Sequence, residues 1–387
     1  MPEKTTDKNK KPEIKRRYRG RIGQVQIYLG KLLRMFLYQN DWMVLPMAAL
    51  VAGLVGIVIR WRLFRSMEGT LVSSLAVACV CLWNGCFNSI QVICRERDVI
   101  KREHRSGMHI SSYIAAHMIY QALLCLLQTG ITVYVLTITG VRFPEHSLFQ
   151  GGFLPEFFVS LFLITYAADM MSLWISAICR STTTAMTVMP VMLILQLVFS
   201  GGMMSLPPRL EPVTDYIISN VGLKLIAAEA DYNHLELTSA WNTVASMRNN
   251  ELKGSFTVGD VVDQLEDSEN PTIKKLREVV VLSGDPFPRD ITVGYIADQM
   301  SADNPDAADL RKEEIKYDTT FGDLLKIVGE DKVRSYIVEN SSKAARNPDY
   351  DYEQGNIGGY WVTLLLFAAA YALLAMITLE FIDMDRR

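Results

Sequence analysis

Six long apolar stretches restrict the folds open to this chain more than any other feature. They cover residues 42–59, 71–93, 113–136, 153–177, 185–204 and 358–382. Each is close to the ~20 residues with which an α-helix crosses ~30 Å of hydrocarbon. Lipid offers no water to backbone N–H and C=O groups, so helices must satisfy these groups internally. We therefore predict an all-α polytopic membrane protein with six transmembrane helices.

A highly charged segment separates the second and third stretches. It carries eight formal charges between Arg95 and Arg105, which is incompatible with a hydrocarbon environment. Its apolar residues Val99, Ile100 and Met108 can gather on one side of a helix while the basic residues project from the rest. The spacing predicts a helix that lies at the membrane face. The segment is either a coupling element that receives force from another protein or simply a solvated cytoplasmic loop, as the positive-inside rule allows.

Basic residues predict the orientation. Residues 1–41 contain eleven Lys or Arg and four acidic residues, and the positive-inside rule keeps such a segment in the cytoplasm. An even number of spans then places both termini there, so we expect a multi-pass protein of the plasma (inner) membrane. We predict a disordered basic leader over residues 1–20, an amphipathic interfacial helix over residues 21–41 and a cytoplasmic tail over residues 383–387. A soluble core helix is the alternative for residues 21–41.

The region between the fifth and sixth stretches is acidic. Residues 203–357 hold sixteen basic and twenty-eight acidic residues, and a segment of this length can be exported regardless of its charge. We expect a re-entrant or surface hairpin at residues 205–232, because their apolar run is too short to span a bilayer. Residues 233–357 are predicted to form a small, mainly helical extracytoplasmic domain.

Three related sequences, FTVGDVVDQL, ITVGYIADQM and TTFGDLLKIV, occur in this external domain. Thr257, Thr292 and Thr320 each precede an apolar run at a position where the hydroxyl can cap the start of a helix. The expected product is three short capped helices. Their unequal spacing argues against a solenoid.

The sequence contains no recognisable arrangement of catalytic or metal-binding residues. Its six cysteines lie in predicted spans or at the cytoplasmic face, without the spacing of a metal site. It has no G-x-x-x-x-G-K-[ST] loop that could cradle nucleotide phosphates. We therefore predict no enzymatic activity, no metal site and no cofactor bound by this chain, and we expect no nucleic-acid partner.

Two sequence motifs carry a family resemblance. An E-R…(K/R)-R-E…G…Y pattern follows span two in permeases of the G-type ATP-binding-cassette exporters, and this chain resembles it at Glu96, Arg97, Lys101, Arg102, Glu103, Arg105, Gly107 and Tyr113. Residues 199–204 (FSGGMM), followed by a proline pair and by YIIS at 216–219, are similar to the end of span five and the re-entrant turn in that group. A long outer loop before the sixth span completes the likeness.

The resemblance implies a permease subunit in a bacterial split arrangement. Two six-span chains, identical or different, would pair in the membrane lipid around a central path. A separate ATPase subunit would bind ATP and Mg, and its closure would rock the spans between inward-open and outward-open states to export an amphiphilic substrate. By the same resemblance, the coupling helix comprises Glu96, Arg97, Arg102, Glu103, Arg105 and Gly107.

Candidate residues of the translocation path come partly from the resemblance, which places Gln196, Phe199, Gly202 and Met203 there. Members of the group often have two bulky apolar residues at the last two positions, and glycine at position 202 departs from that pattern.

Polar residues inside the predicted spans are the other path candidates, because each is costly in lipid. Asn84 and Asn88 share one face of span two, where they either bond to another helix or line the path. Asp169 in span four either bonds to a neighbouring helix, lies near the water interface or acts on cargo or protons.

Two other functions stay open. A polymer or glycolipid exporter permease also has six spans, although such proteins usually have small outer loops. A membrane sensor or mechanotransmitter would bind a partner through its outer domain and transport nothing.

Overall fold

The computed structural model describes residues 20–38, 41–148, 151–202, 207, 209, 211–266, 269–285 and 288–381. The chain divides into two compact units. The membrane unit comprises Met1–Thr238 and Glu339–Arg387, and the repeat unit comprises Ser239–Val338.

The described residues are mostly helical. In chain order the α-helices are α1 (Arg21–Tyr38), α2 (Val44–Ile59), α3 (Met67–Ser89), α4 (Val92–Arg105), α5 (Ile110–Ile138), α6 (Phe153–Ile178), α7 (Thr182–Val198), α8 (Glu211–Thr214), α9 (Ile218–Glu229), α10 (Ser239–Ser246), α11 (Val258–Glu266), α12 (Pro271–Arg277), α13 (Val293–Gln299), α14 (Ala308–Arg311), α15 (Phe321–Val328), α16 (Glu330–Ala344) and α17 (Gln354–Glu380). The strands are β1 (Glu251–Thr257), β2 (Val280–Leu282), β3 (Ile291–Thr292) and β4 (Glu314–Thr320).

Within the described part of the chain, four helices are long and apolar enough to cross a membrane. They are α5, α6, α17 and the helical stretch from Met67 to Arg105, which contains α3 and α4. Helices α2 and α7 are apolar but only 16 and 17 residues long, which at ~1.5 Å per residue is less than the ~30 Å of a bilayer core. The expected mostly helical membrane protein is thus confirmed, whereas the count of six spans stays a prediction.

The core of the membrane unit is built on α3 and α6. A side chain at Gly85 of α3 would place its Cβ 2.3 Å from the Thr165 carbonyl oxygen of α6, so the two backbones touch there. Small residues allow this close approach in membrane helices. Ser172 of α6 donates a hydrogen bond of 2.7 Å to the Cys86 carbonyl of α3. Helices α3 and α6 are therefore joined by contact and by hydrogen bonding.

Helix α9 lies in the predicted hairpin region, and nearly all of its residues are buried. It packs against α3, α6 and α17. Helix α9 is therefore part of the packed core of the membrane unit, and its depth in the membrane stays a prediction.

The repeat unit differs from the sequence prediction, because it contains strands. Antiparallel pairing joins β1 to β4 and β2 to β3. Helices still form most of this unit, as expected for a mainly helical domain, but the sequence did not predict the two strand pairs. The strands are short, and β1 and β4 lie far apart in the sequence, so local patterning gives little sign of their pairing.

The three predicted helix caps are present, each at the end of a strand. The hydroxyls of Thr257, Thr292 and Thr320 each accept a hydrogen bond of 3.2 Å from the backbone N–H three residues later. The next glycine in each motif also packs closely, because an added Cβ would lie 3.0–3.2 Å from the carbonyl oxygen of an arginine. The three sequences thus form equivalent strand–cap–helix junctions.

Candidate functional site

Helix α4 contains the charged segment and is amphipathic as the sequence predicts. Ile93, Cys94 and Ile100 are buried, whereas Arg95 and Arg102 are exposed. The short break between α3 and α4 turns the chain, and the first N–H groups of a new helix lack partners inside it.

Helix α6 supplies partners for the start of α4. The Ser176 hydroxyl accepts from the Ile93 and Cys94 backbone N–H groups at 3.1 and 3.2 Å. This contact fixes the position of the first turn of α4.

Arg97 attaches α4 to the same C-terminal end of α6. Its Nη1 donates to the Ala177 carbonyl at 2.9 Å and to the Cys179 carbonyl at 3.1 Å. The last carbonyls of a helix have no intrahelical partner and attract positive charge. The guanidinium therefore binds α4 to the C-terminal end of α6.

Two side chains of α1 bind the opposite side of α4. Lys31 Nζ lies 3.0 Å from Glu96 Oε2, and the Tyr28 hydroxyl donates to Glu103 Oε2 at 2.8 Å. Burial and then the adjacent Glu103 carboxylate raise the pKa of the Tyr28 phenol well above its ordinary value. Tyr28 therefore stays a neutral donor, and its hydrogen bond links α1 to α4.

The end of α4 is also tied to α1. Gly107 has a φ of +103°, a left-handed conformation that glycine adopts without strain. Gln24 Nε2 donates to the Gly107 carbonyl at 3.2 Å, and Gln24 Oε1 accepts from the His109 N–H at 2.9 Å. The turn that leads into α5 is held by a single α1 side chain.

The six predicted coupling residues therefore fall into two groups. Glu96, Arg97, Glu103 and Gly107 take part in the contacts that hold α4 in place, whereas Arg102 and Arg105 are exposed. Sequence reasoning did not identify the partners on α1. A signal existed, because Gln24, Tyr28 and Lys31 follow one another at steps of four and three residues and so share one face of a helix.

The polar residues of the spans bond chiefly to other helices. Asn88 and Gln128 of α5 exchange two hydrogen bonds of 2.7 and 3.0 Å. Asp169 is fully buried in α6 and accepts from Ser89 of α3 and, at 3.3 Å, from the Cys125 thiol of α5. Asn88 and Asp169 thus take part in interhelical hydrogen bonds, and their place on a translocation path stays a prediction.

Asn84 is buried. With Asn88, Met47 and Trp83 it lines a cavity of about 250 Å³ between α2 and α3.

The residues at the end of α7 connect that helix to its neighbours. Gln196 Oε1 accepts from the Ser219 N–H of α9 at 3.0 Å, and its Nε2 lies 3.5 Å from the Met171 sulfur of α6. Phe199 follows the last turn and is half-buried. Gly202 is closely packed, because an added Cβ would lie 3.0 Å from Leu223 and 3.2 Å from Leu75. Met203 lies outside the described residues.

An open apolar groove of about 390 Å³ runs between α3 and α7. Leu82, Trp83 and Phe87 form one wall, and Pro190 and Ile194 contribute to the other. The exposed fractions of Trp83 and Ile194 are 45% and 59%, respectively. Sequence patterning did not reveal this groove, since its residues are ordinary components of apolar helices.

Comparison with known proteins assigns the family. Residues 13–213, more than half of the chain, match the family model described as ABC-2 type transporter. The chain belongs to the ABC-2 type transporter family. The match therefore identifies the membrane domain of an ABC transporter permease.

A relative from Mycobacterium tuberculosis, the ABC transporter ATP-binding/permease protein Rv1747, is 30% identical to the permease over 126 residues. The match covers 31% of this chain and 14% of the relative. The chain thus corresponds to a small part of that protein's length.

Proposed function

We propose that this permease is the membrane subunit of an exporter driven by a separate ATPase subunit that binds ATP and Mg. Both termini would lie in the cytoplasm, with α2, α3, α5, α6, α7 and α17 crossing the plasma (inner) membrane. Helix α4 would rest on the ATPase and transmit its closure to the spans. Two permease chains, identical or different, would alternate between inward-open and outward-open states.

The attachment of α4 on both sides is the observation that carries this proposal. Glu96 and Glu103 bind side chains of α1, and Arg97 binds the end of α6. A helix fixed in this way moves with its neighbours as one body, as transmission of a push requires. Exposed Arg102 and Arg105 supply a cationic surface for the ATPase. A solvated loop would not need this set of contacts.

The groove between α3 and α7 supports a paired arrangement and an amphiphilic cargo. Its lining residues include Trp83, Phe87 and Met189, and they are predominantly apolar. Exposed apolar surfaces commonly mark interaction or ligand sites. A second permease chain facing this groove would enclose an apolar space between the two copies.

Reconstitution tests the proposal. The permease and a co-expressed ATPase are placed in proteoliposomes containing fluorescent phospholipids or amphiphilic dyes, and probe movement is followed after ATP addition. ATP-dependent movement that needs both chains is expected. ATPase stimulation without movement of any probe would favour the sensor alternative, for which the acidic region between the last two apolar stretches is the supporting observation.

A further inference from the structure

The membrane unit contains a further cavity, on the side of α3 opposite the groove between α3 and α7. Its volume is about 210 Å³, and it is bordered by α1, α2, α5 and the junction between α3 and α4. The apolar part of its wall includes Leu32, Met35, Val44, Phe87, Val92 and Leu124. This cavity is next to the attached helix α4, and none of the transport steps proposed above uses it.

Polar groups line the rest of the cavity. Among them is His117 of α5, whose exposed fraction is 1%. Its ring packs on Tyr113 with centroids 4.5 Å apart, yet neither ring nitrogen has a hydrogen-bond partner among the described residues. A buried polar group without a partner is costly, and such groups in native proteins require an explanation. A ligand in the cavity would supply the missing partner.

The charge at the cavity favours an anion. Arg95 and Glu96 both line it, but the Glu96 carboxylate already lies 3.0 Å from Lys31 Nζ. The Arg95 guanidinium is therefore the charge available to a ligand at the exposed edge. Gln91 adds an amide donor beside it. A guanidinium, an imidazole and an amide are together suited to a phosphate ester.

The cavity continues into an apolar space. The 250 Å³ cavity between α2 and α3 shares Val44, Phe87 and Asn88 with it. The rest of the 250 Å³ cavity is lined mainly by apolar side chains, including Met47 and Val51, together with the amides of Asn84 and Gln128. A polar end that continues into an apolar cleft matches a molecule with a phosphate head and an acyl tail.

We infer that these two joined cavities bind an anionic phospholipid, with its phosphate at Arg95, Gln91 and His117 and an acyl chain between α2 and α3. The site is distinct from the groove between α3 and α7. Only the assignment of the lipid to the cytoplasmic leaflet rests on the proposed function. The bound lipid would fill the space between α1 and the start of α4, where the contacts of Lys31 and Glu96 also lie.

Native mass spectrometry of the full chain in detergent tests the inference. Phosphatidylglycerol and phosphatidylcholine with the same acyl chains are titrated without ATPase or nucleotide, so failure of transport leaves the measurement unaffected. About tenfold tighter binding of phosphatidylglycerol is expected, and Arg95→Gln should remove that preference. Arg102→Gln is the matched control, because it loses the same charge on the same helix outside the cavity.

Two further variants separate the pocket from general charge effects. His117→Phe removes the buried ring nitrogens. Met35→Trp places a larger side chain in the cavity at a half-buried position of α1. Both should weaken phosphatidylglycerol binding about tenfold. If His117→Phe fails to give a monodisperse protein, the Met35→Trp result decides. Unchanged phosphatidylglycerol binding in Met35→Trp would overturn the inference. So would a loss of the phosphatidylglycerol preference in Arg102→Gln equal to that in Arg95→Gln.

Competition distinguishes the source of the phosphate. Glycerol phosphate and inorganic phosphate carry the anionic group without an acyl chain. They should displace phosphatidylglycerol poorly, because they leave the apolar cleft empty. Displacement by inorganic phosphate at concentrations similar to the lipid would show a simple anion site and contradict the lipid assignment.

Discussion

The membrane unit and the repeat unit use the same polar residue types in opposite ways. In the membrane unit, Asp169 is fully buried and bonds to Ser89 and Cys125 on two other helices. In the repeat unit, Asp260 and Asp323 are close in sequence to the threonines that they bond and stabilise the first turns of their own helices. In lipid, a polar side chain has no water to bond and needs a hydrogen-bond partner on another helix. In water, the same side chain can cap the first turn of its own helix.

The comparison predicts that damage to the membrane unit spreads further than damage to the repeat unit. Gly85→Val should have the largest effect, because its Cβ would lie 2.3 Å from the Thr165 carbonyl and would separate α3 from α6. A loss of about 3 kcal/mol or more is expected. Thermal unfolding in detergent measures it. Gly53→Ala is the control, since its nearest contact would be an ordinary 3.7 Å; equal stability of the two variants would contradict the close packing.

Glu103→Lys tests the attachment of α4 within the membrane unit. It replaces the acceptor of the Tyr28 hydroxyl with a cation, so ATP-driven transport should fall about tenfold while the protein stays folded and inserted. Transport and ATP hydrolysis are measured together in proteoliposomes. Asp98→Lys makes the same charge change at an exposed position of the helix and should transport normally. Normal coupling in Glu103→Lys would remove α4 from the mechanism.

Thr320→Ala tests the local character of the repeat unit. It removes the hydroxyl that accepts from the Asp323 N–H and donates to the Asp323 carboxylate, while the backbone N–H of residue 320 keeps its bond to that carboxylate. The loss should cost α15 about 1 kcal/mol. Faster amide hydrogen exchange in α15, with no change in α6, is the expected result. Thr363→Ala on the exposed face of α17 is the control, because the Thr363 hydroxyl bonds to the Gly359 carbonyl and does not cap a helix. It should change hydrogen exchange little. Loss of protection in α6 would show that the two units are not as different as proposed.

The smallest expected effect is a pH dependence of α15. Hydrogen bonds from Thr320, with the nearby Lys326, lower the pKa of the Asp323 carboxyl. Because the folded-state pKa is the lower one, this contribution is complete above the ordinary value of about 4 and disappears as pH falls through the lowered value. Hydrogen exchange in α15, corrected for its intrinsic pH dependence, should increase over that range. Asp323→Asn should abolish the change in α15; its persistence would exclude this carboxyl as the cause.

Local patterns allowed much of the fold to be predicted. The apolar periodicity of residues 92–105 indicates a helix, and the three threonines mark helix starts through bonds to residues only three positions away. The family pattern identified Glu96, Arg97 and Glu103 as members of one functional helix. These features depend on residues close together in the sequence, so they can be recognised without knowledge of the tertiary fold.

What could not be predicted depends on distant partners. The hydrogen bond between Tyr28 and Glu103 joins residues 75 positions apart. Strand β1 pairs with β4, which begins more than fifty residues later in the sequence. Asn88 was left open between two roles because its partner Gln128 lies on another helix. Non-local pairing follows from packing of the whole chain and leaves little trace in local periodicity.

Helix α4 is held by α1 and α6, and we propose that its exposed surface receives the ATPase. A photo-crosslinking amino acid at Arg102, an exposed position of α4, tests this most directly in cells that co-express the ATPase. We expect an adduct with the ATPase whose yield changes with nucleotide, and no adduct from the exposed position Arg142. An adduct from Arg142 and none from Arg102, or labelling of position 102 only from outside intact cells, would contradict it.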